Sequence, residues 1–539
     1  MNDINLADAF ELIAEIRGDE LAVIQGSRRL RWRDVDRRTR NLAAWMKEQG
    51  AGHQAKVAIY SYNTPAYLES VAAAFRASLI PVNVNYRYRE DELRYLLDNS
   101  DAEIIVVHEE FVPLLTQVLK DLRGVRAVAV IADHDDFDVS GLPGAALYER
   151  IVAEDREAPN VTRSGDDLLF LYTGGTTGMP KGVMWRQGDL FARLGGGGVA
   201  PAATNLEDHR QVVINQPAQS RLLLGPPLMH GTGWFTSLIC WLTGGAVILL
   251  PNPRRFDAVE MLRTIQEDRA TGVTIVGDPF AKPMVKALEA AAGQYDISSL
   301  VIMMSSGVMW SQETKQRLLA HNDKMILLDA LGSSEAIGMG TSLTTAAGTV
   351  HTGKFTITDT TRLFDADLNI LESKAGARGM VGVSGPQPIG YYKDPEKSAR
   401  TFVEAEGRRF SIPGDWAEIN EDGASLTLLG RGSVCINTGG EKVFPEEVEE
   451  VIKRFDGVRD AVVVGVPDER WGEAITAVVS TQGRDLDEKG LLEHVKAQLA
   501  GFKCPKHIVH VDEVYRSPAG KADFKQTRKT ALEALGIAE

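Results

Sequence analysis

The sequence has few cysteines, no long uninterrupted apolar run and no excess of positive charge. Its three cysteines, Cys240, Cys435 and Cys504, stand far apart, so they indicate neither a zinc motif with closely paired ligands nor a disulfide framework. The formal net charge of -15 argues against binding to a nucleic-acid backbone. These absences favour a chain of the reducing cytoplasm and exclude nucleic acid as an expected partner.

Signals for export and for membrane insertion are also missing. The N-terminal segment MNDINLADAFELIAEIRGDE is acidic and amphipathic, and it lacks the basic start and apolar run of a secretory signal. The most apolar stretch, at 236–250, is shorter than the roughly 20 residues that span a bilayer, and Gly244 and Gly245 divide it. We therefore expect buried core there and no transmembrane segment, while peripheral membrane contact and homo-oligomerisation stay open.

The composition is that of a large globular chain. At 539 residues, with 44% hydrophobic and 25% charged residues, it exceeds the usual size of one domain. Strand-like segments alternate with amphipathic helical ones, which is the pattern of a layered α/β architecture. The expected strands include 56–63, 127–132, 271–277 and 324–330.

The organisation changes after the Gly-rich stretch at 430–440. A helix is expected at 445–455, followed by two strands, a helix at 487–500 and a final strand beginning at His507. About a hundred residues suffice for a small α+β domain. We place the main domain boundary at this stretch.

The most informative segment is LLFLYTGGTTGMPKGVMW, at 168–185. Glycines let backbone N–H groups turn inward, threonine hydroxyls add donors, and a lysine supplies positive charge to a polyphosphate. Lys181 follows Pro180 and precedes Gly182, so the segment differs from the common P-loop. An adenine nucleotide is the predicted ligand, bound by Thr173, Gly174, Gly175, Thr176, Thr177, Gly178 and Lys181.

The stretch YTGGTTGMPKG resembles the signature of the acyl-adenylate-forming superfamily, which includes acyl-CoA synthetases, luciferases and nonribosomal-peptide adenylation domains. Further motifs follow in the family's order almost to the C-terminus. The resemblance implies a large, multi-subdomain N-terminal α/β domain of the adenylate-forming type and a small mobile α+β C-terminal domain. The implied bounds are 1–430 for the AMP-binding domain, 431–433 for a hinge and 434–539 for the C-terminal domain.

The resemblance also assigns the nucleotide site. MMSSGVMW at 303–310 is similar to the loop against which adenine packs, with Gly307 allowing close approach. LGSSEAIG at 331–338 is similar to the acidic motif, in which Ser334 would bind the α-phosphate and Glu335 would hold Mg²⁺. The sequence departs from the family at Leu331, where an aromatic residue is usual, and at Ser334, where threonine is usual.

Later motifs complete the implied machinery. Asp415 in IPGDW would accept both ribose hydroxyls, Arg431 would contact ribose or phosphate, and Ser433 takes the hinge position. Lys521 in SPAGKADFK would reach the carboxylate and the α-phosphate. The resemblance thus makes Lys521, Glu335, Thr173 and Lys181 the catalytic residues. It places Gly439, Gly440, Glu441 and Lys442 beside coenzyme A.

The acid would occupy a pocket formed by scattered positions. By resemblance, GPPLMHGTGW at 225–234 lies beside the acyl group. None of the five candidates is a basic residue suited to pairing a second substrate carboxylate, so a hydrophobic acid is favoured. The candidate pocket residues are His230, Trp234, Val308, Gly332 and Ile337.

These observations predict an acid:CoA ligase that uses ATP, Mg²⁺ and coenzyme A. It would form an acyl-AMP and then an acyl-CoA, releasing pyrophosphate and AMP. Its short sequence motifs are most similar to those of fatty-acyl and steroid-side-chain CoA ligases. One alternative is an acyl-AMP ligase that loads a carrier protein, and a luciferase-like oxygenase is another within the family. A non-catalytic adenylate-binding regulator is the alternative of a different class.

Overall fold

The computed structural model describes residues 3–173, 179–198, 200–216, 219–308, 310–348, 353–438, 441–468, 471–481, 483, 485–499, 501–517 and 520–537. They form two compact units. The first unit contains 3–173, 179–348 and 384–411, and the second contains 353–383 and 412–537. The second unit takes in strands that precede residue 431, because the strands of 353–383 pair with those of 412–431.

The chain up to residue 173 alternates strands and helices. Helix starts carry expected signals: Asn5 and Thr64 cap the first and third helices with their side chains, and Pro65 opens the third. The elements are α1 (Leu6–Arg17), β1 (Leu21–Gln25), β2 (Arg28–Arg31), α2 (Trp32–Glu48), β3 (Lys56–Tyr60), α3 (Pro65–Arg76), β4 (Ile80–Asn83), α4 (Glu90–Asn99), β5 (Ala102–His108), α5 (Val112–Val118), β6 (Ala127–Ile131), β7 (Ala146–Leu147), α6 (Tyr148–Ala153) and β8 (Leu168–Thr173).

The same alternation continues from residue 181 to residue 344. Asp257 and Ser311 cap two of the helices through their side chains. The elements are β9 (Lys181–Arg186), α7 (Gln187–Leu194), α8 (Leu206–Ile214), β10 (Arg221–Leu224), α9 (Gly231–Leu242), β11 (Ala246–Leu249), α10 (Ala258–Asp268), β12 (Gly272–Ile275), α11 (Asp278–Ala290), β13 (Ile302–Ser306), α12 (Gln312–His321), β14 (Ile326–Leu331) and β15 (Gly340–Thr344).

Strands predominate between 354 and 443, and helices return near the C-terminus. A short 3₁₀ turn, Gly432–Val434, interrupts the strands. The elements are β16 (Lys354–Thr356), β17 (Thr361–Phe364), β18 (Arg378–Ser384), β19 (Gly390–Tyr391), α13 (Pro395–Thr401), β20 (Phe402–Ala405), β21 (Arg408–Ser411), β22 (Asp415–Ile419), β23 (Ser425–Arg431), β24 (Ile436–Thr438), β25 (Glu441–Val443), α14 (Pro445–Lys453), β26 (Asp460–Asp468), β27 (Gly472–Ser480), α15 (Glu488–Gln498), β28 (His507–Val511) and α16 (Phe524–Leu535).

Two sheets organise the first unit. In one, the order is β2-β1-β11-β10-β12-β13-β14-β15, with parallel strands from β1 to β14 and antiparallel β2 and β15 flanking them. In the other, the order is β19-β9-β8-β4-β3-β5-β6-β7, parallel from β8 to β7 and antiparallel at β9 and β19. Parallel strands covered on both faces explain the near-continuous apolar runs of the sequence.

The core of the first unit is layered. One buried cluster joins α1, α7 and α9 to both sheets, with Val23 and Leu224 from one sheet and Leu171 and Trp185 from the other. A second cluster lies between the opposite face of the first sheet and helices α10, α11 and α12. The apolar stretch at 236–250 is divided between α9 and β11 and is largely buried, which agrees with its expected place in the core.

The second unit contains two further groups of strands. One is antiparallel in the order β16-β23-β22-β18, with β17 beside β18. The other has the order β25-β24-β27-β26, and β28 pairs in parallel with β27. Helices α14, α15 and α16 pack on this last sheet and bury Val448, Val495 and Ala531. The helices and strands expected after residue 432 occur in the expected order as α14, β26, β27, α15 and β28, and the structure adds β24 and β25 before them and α16 after them.

Candidate active site

The two described ends of the Gly- and Thr-rich loop lie opposite each other. Thr173 ends β8 and Lys181 begins β9, and the two residues are direct partners in the antiparallel register. The residues between them that sequence analysis assigned to phosphate, Gly174, Gly175, Thr176, Thr177 and Gly178, lie outside the described residues. The strand pair therefore holds Thr173 and Lys181 together at the mouth of this loop.

Lys181 makes an ion pair with a residue far along the chain. Its Nζ donates to Oδ2 of Asp394, which also caps α13 by accepting the N–H of Lys397 at 3.0 Å. The hydrogen bond from Lys181 lowers the pKa of the Asp394 carboxyl below its ordinary value. About a third of the Lys181 side chain and a quarter of that of Asp394 remain exposed. The pair is accessible to a ligand.

Glu335 is held by three hydrogen bonds beyond the end of β14. Its Oε1 accepts the phenol O–H of Tyr391 at 2.9 Å, and its carbonyl accepts the hydroxyl of Ser411 at 2.7 Å. Its own N–H donates to Oγ of Ser333 at 3.2 Å. These contacts fix both the backbone and one oxygen of the carboxylate, leaving acceptor capacity on the other oxygen.

Ser334 lies where β9, β8 and α9 come together. Trp185 Nε1 donates to its carbonyl at 2.9 Å. A Cβ added to Gly231, the first residue of α9, would lie 3.2 Å from Ser334 Oγ and 3.2 Å from the side chain of Leu171. The close approach of the acidic motif to α9 thus depends on glycine at position 231.

The loops that follow β13 and β14 place the other predicted nucleotide and pocket residues. Gly307 follows β13 with φ of 92°, a left-handed conformation that favours glycine. Val308 packs partly on the cluster that includes α12, and Ile337 packs partly on the cluster between the sheets. At Gly332, a Cβ would come within 3.0 Å of the carbonyl of Ala336, so the turn is tight.

His230 and Trp234 bracket the first turn of α9. The carbonyl of His230 accepts the N–H of Trp234 at 3.0 Å. Trp234 is 1% exposed and belongs to the core between the sheets. Phe235 and Ile239, on the same helix, are less completely buried against that core. Phe235 is, with Leu171, an apolar neighbour of Gly231 that the sequence analysis missed.

Asp415 and Arg431 belong to the second unit and are cross-strand partners in β22 and β23. Asp415 is 8% exposed. Ser433 lies in the 3₁₀ turn that follows directly, and Lys442 in β25 pairs with Asn437. Only the backbone is described for Arg431, Ser433, Glu441 and Lys442, and the predicted Gly439 and Gly440 lie outside the described residues.

The loop that carries Lys521 is tied to the last sheet. The N–H of Lys521 donates to Ser517 Oγ at 3.2 Å, and its carbonyl accepts the N–H of Ser517 at 2.7 Å. Arg516 donates to both oxygens of Asp460 at 2.6 and 2.8 Å, and to the carbonyl of Gly520 at 3.0 Å. Burial raises the pKa of Asp460, but the hydrogen bond from Arg516 contributes to a net lowering. Arg516 therefore anchors this loop.

Sequence analysis missed the segment that contacts both Lys181 and Glu335. Tyr391 and Asp394 lie within GYYKDPE, to which the sequence analysis gave no site role. Asp394 did carry a readable signal, because aspartate before proline is a favourable N-cap followed by proline at the first helical position. Nothing local indicated that this cap would also bind a lysine 213 residues away.

The profile of the AMP-binding enzyme family matches residues 10–392, and that of the AMP-binding enzyme C-terminal domain matches residues 447–521. The chain belongs to the AMP-binding enzyme family. Members of this family are similar to it over its full length. The 3-oxocholest-4-en-26-oate–CoA ligase of Rhodococcus rhodochrous is 38% identical over 531 residues, which are 97% of this chain and 95% of the relative.

Further similarity comes from a second relative and from solved structures. A ligase of Mycobacterium tuberculosis (strain ATCC 25618 / H37Rv), named for medium/long-chain fatty acids and 3-oxocholest-4-en-26-oate, is 38% identical across 98% of this chain and 96% of its own. The anthranilate CoA ligase AuaEII with anthranoyl-AMP has a TM-score of 0.83 at 21% identity, covering 100% and 99% of the two chains. ATP-bound MatB from Rhodopseudomonas palustris has a TM-score of 0.80 at 25% identity, covering 98% and 99%.

These findings confirm the predicted fold class and the predicted enzyme class. The AMP-binding family enzyme described here is an ATP-dependent acid:CoA ligase that works through an acyl-AMP. ATP, coenzyme A and a small carboxylic acid fit this family as substrates. Among the described residues, no helix combines the length and apolarity needed to cross a bilayer.

Proposed function

We propose that this ligase activates a hydrophobic carboxylic acid, either a fatty acid or the side-chain acid of a steroid. The observation that carries the proposal is the full-length similarity to two ligases whose names specify such acids. Apolar side chains are consistent with it: Phe235 belongs to the core between the sheets, and Met304 and Ile337 pack partly on this core. Such surface suits an acyl chain or a ring system.

In the first half-reaction, a carboxylate oxygen of the acid attacks the α-phosphorus of ATP. A new oxygen–phosphorus bond forms, the bond to the bridging oxygen breaks, and pyrophosphate leaves with that oxygen. Lys181 and Lys521 would offset the negative charges that approach each other, and Thr173 would donate to phosphate at the mouth of the loop. Charge stabilisation and positioning account for most catalysis of phosphoryl-type transfers.

Mg²⁺ would be held by Glu335 and by the phosphates of ATP. The described residues contain no group of three or more histidine, cysteine or acidic side chains suited to a metal cage. Mg²⁺ commonly takes one or two carboxylates and completes its shell with phosphate and water, so a single glutamate fits this ion. When bound, the ion would neutralise part of the negative charge of the triphosphate. Tyr391 leaves Oε2 of Glu335 available for it.

In the second half-reaction, the thiolate of coenzyme A attacks the acyl carbonyl. The carbon–sulfur bond forms, the carbon–oxygen bond to AMP breaks, and AMP leaves. We assign Asp415 and Arg431 to the ribose and phosphate, and Gly439, Gly440, Glu441 and Lys442 to the coenzyme A side. The C-terminal domain, taken as 434–539, would rotate about a hinge at Ser433. This rotation would remove Lys521 from the active site and bring in the residues assigned to coenzyme A.

We place the enzyme in the cytoplasm. No disulfide joins the three cysteines, all of which the structure describes, and this suits a reducing compartment. Cys240 and Cys504 are buried and Cys435 is partly buried. Burial raises the pKa of the Cys240 thiol to about 12, so this group stays a neutral thiol.

The experiment is a coupled assay over straight-chain, aromatic and steroid-side-chain acids. Pyrophosphate release and thioester formation are measured with ATP and Mg²⁺, with and without coenzyme A. We expect acid-dependent pyrophosphate release and a CoA thioester with the straight-chain or the steroid-side-chain acids. Adenylation without any thioester would favour a carrier-loading ligase, an oxygen-dependent product would favour a luciferase-like enzyme, and nucleotide binding without adenylation would favour a regulator.

A further inference from the structure

The ion pair between Lys181 and Asp394 joins a predicted phosphate-binding group to a carboxylate with no assigned role. Lys181 is the first residue of β9, and Asp394 is the capping residue of α13. Both side chains keep part of their surface exposed, at 34% for Lys181 and 25% for Asp394. A ligand that approaches the ends of the Gly- and Thr-rich loop therefore meets an ammonium group that is already paired with a carboxylate.

The carboxylate is held firmly relative to the strand that carries the lysine. Oδ1 of Asp394 accepts the N–H of Lys397 at 3.0 Å, while Oδ2 faces Lys181. The hydroxyl of Ser398 donates to the carbonyl of Asp394 at 2.6 Å and accepts the N–H of Tyr391 at 2.8 Å. Tyr391 pairs with Val183 of β9. The carboxylate is thus positioned by the same sheet as its partner.

A triphosphate and the Asp394 carboxylate would compete for the ammonium group of Lys181. An ammonium group is a compact charge with three donors, and it prefers the anion that is closest and most highly charged. The hydrogen bond from Lys181 lowers the pKa of Asp394, so the carboxylate is ionised at neutral pH. Lys181 must therefore give up its contact with this carboxylate before it can pair with the phosphates.

We propose that Asp394 is a counter-ion that positions Lys181 before ATP binds and competes with the phosphates of ATP and pyrophosphate for it. This proposal rests on the phosphate-binding role given to Lys181 above. Its consequence is weaker binding of both polyphosphates than the lysine alone would give. Because pyrophosphate is the product of adenylation, the competition also favours its departure after each turnover. Asp394 is a positioning residue.

The test uses Asp394→Asn and Asp394→Ala in the full chain. Asparagine caps a helix about as well as aspartate and removes only the charge, whereas alanine removes the cap as well. ATP binding is measured calorimetrically with Mg²⁺ in the absence of acid, and pyrophosphate is measured as an inhibitor of adenylation. We expect Asp394→Asn to lower the dissociation constant of ATP and the inhibition constant of pyrophosphate about two- to fivefold, which is the range of an exposed ion pair. Its melting temperature should fall by no more than a few degrees, the effect of one exposed ion pair, while that of Asp394→Ala should fall further.

Calorimetric binding of ATP and of pyrophosphate in the Lys181→Met background identifies the route of the effect, because binding can be measured without adenylation. If Asp394 acts through Lys181, Asp394→Asn has no effect on ATP or pyrophosphate affinity in that background. An equal gain there, or unchanged or weaker binding by Asp394→Asn alone, overturns the proposal. Lys181→Met that binds ATP and adenylates normally would overturn the assigned role of Lys181 itself, and the proposal with it. The two failures are therefore distinguishable.

Discussion

The phenol of Tyr391 donates a hydrogen bond to Oε1 of Glu335 across 2.9 Å, although the two residues are 56 positions apart. Tyr391 is 4% exposed and pairs with β9, so the bond comes from a rigid, buried position. It fixes one oxygen of the carboxylate that we assign to Mg²⁺. The proposed Mg²⁺ ligand is therefore positioned by a strand of a different sheet from the one that precedes Glu335.

Replacing Tyr391 with phenylalanine tests this arrangement. A buried hydrogen bond to a charged group contributes about 1.5–3 kcal/mol, so we expect kcat for adenylation to fall at least about tenfold. The Mg²⁺ concentration required for half-maximal rate should rise. Tyr392→Phe is the matched control, because Tyr392 donates to the exposed Asp101 instead. Equal losses in both variants would contradict a specific role for Tyr391.

Lys521 and Ser433 should affect different half-reactions. Lys521→Ala removes a positive charge proposed for the transition state, and we expect adenylation to slow by a factor of about a hundred or more. Thioester formation from supplied acyl-AMP should be spared. Ser433→Pro should stiffen the hinge and give the opposite result. Lys525→Ala, four residues from Lys521, serves as the control for loss of a nearby lysine.

The buried ion pair of Lys315 and Asp329 should be important for stability. Lys315 donates to Asp329 Oδ2, its side chain is 1% exposed, and its ammonium lies 5.4 Å from the ring centroid of Trp310. Lys315→Met leaves a buried carboxylate without its cation, and we expect a loss of about 3–5 kcal/mol in the free energy of unfolding. Urea denaturation measures it. Lys315→Met/Asp329→Leu should recover most of the loss, because no buried charge remains.

His209 should make the protein sensitive to acid. The side chain is fully buried, its ring packs edge-on against Phe191 at 4.9 Å, and burial lowers its pKa from 6.5 to about 4. The folded state thus favours the neutral ring, and this stability is present above pH 6.5 and is lost as pH falls toward 4. One pKa unit corresponds to about 1.4 kcal/mol, so His209 should lower the free energy of unfolding by about 2 kcal/mol between pH 7.5 and pH 5.

His209→Gln checks that prediction, since glutamine does not titrate. Urea denaturation at pH 7.5 and pH 5 should show a smaller pH-dependent loss for the variant than for the natural protein. The exposed His134, replaced in the same way, is the control and should leave the pH dependence unchanged. The same acid sensitivity in His209→Gln as in the natural protein would show that another group is responsible.

Much of the architecture was readable from the sequence because it depends on local patterns. Apolar runs of strand length predicted β3, β6, β12 and β14, and their alternation with amphipathic helices indicated a layered α/β fold. The loop after β8 was recognised from glycine, threonine and lysine within a short segment. Even the helix start at Asp394 was signalled by Asp-Pro. Such features arise within about ten residues of chain, where propensity and capping chemistry act.

Tertiary structure alone decided which of these groups meet. Lys181 and Asp394 are separated by 213 residues, and their contact exists because β19 pairs with β9 and brings the start of α13 beside the lysine. The same pairing brings Tyr391 to Glu335. Sequence by itself determined the family, the order of elements and the chemically active residue types. The pairing of strands in the folded sheets determined which of these residues contact each other, because it joins segments that are far apart in the sequence and that no local pattern links.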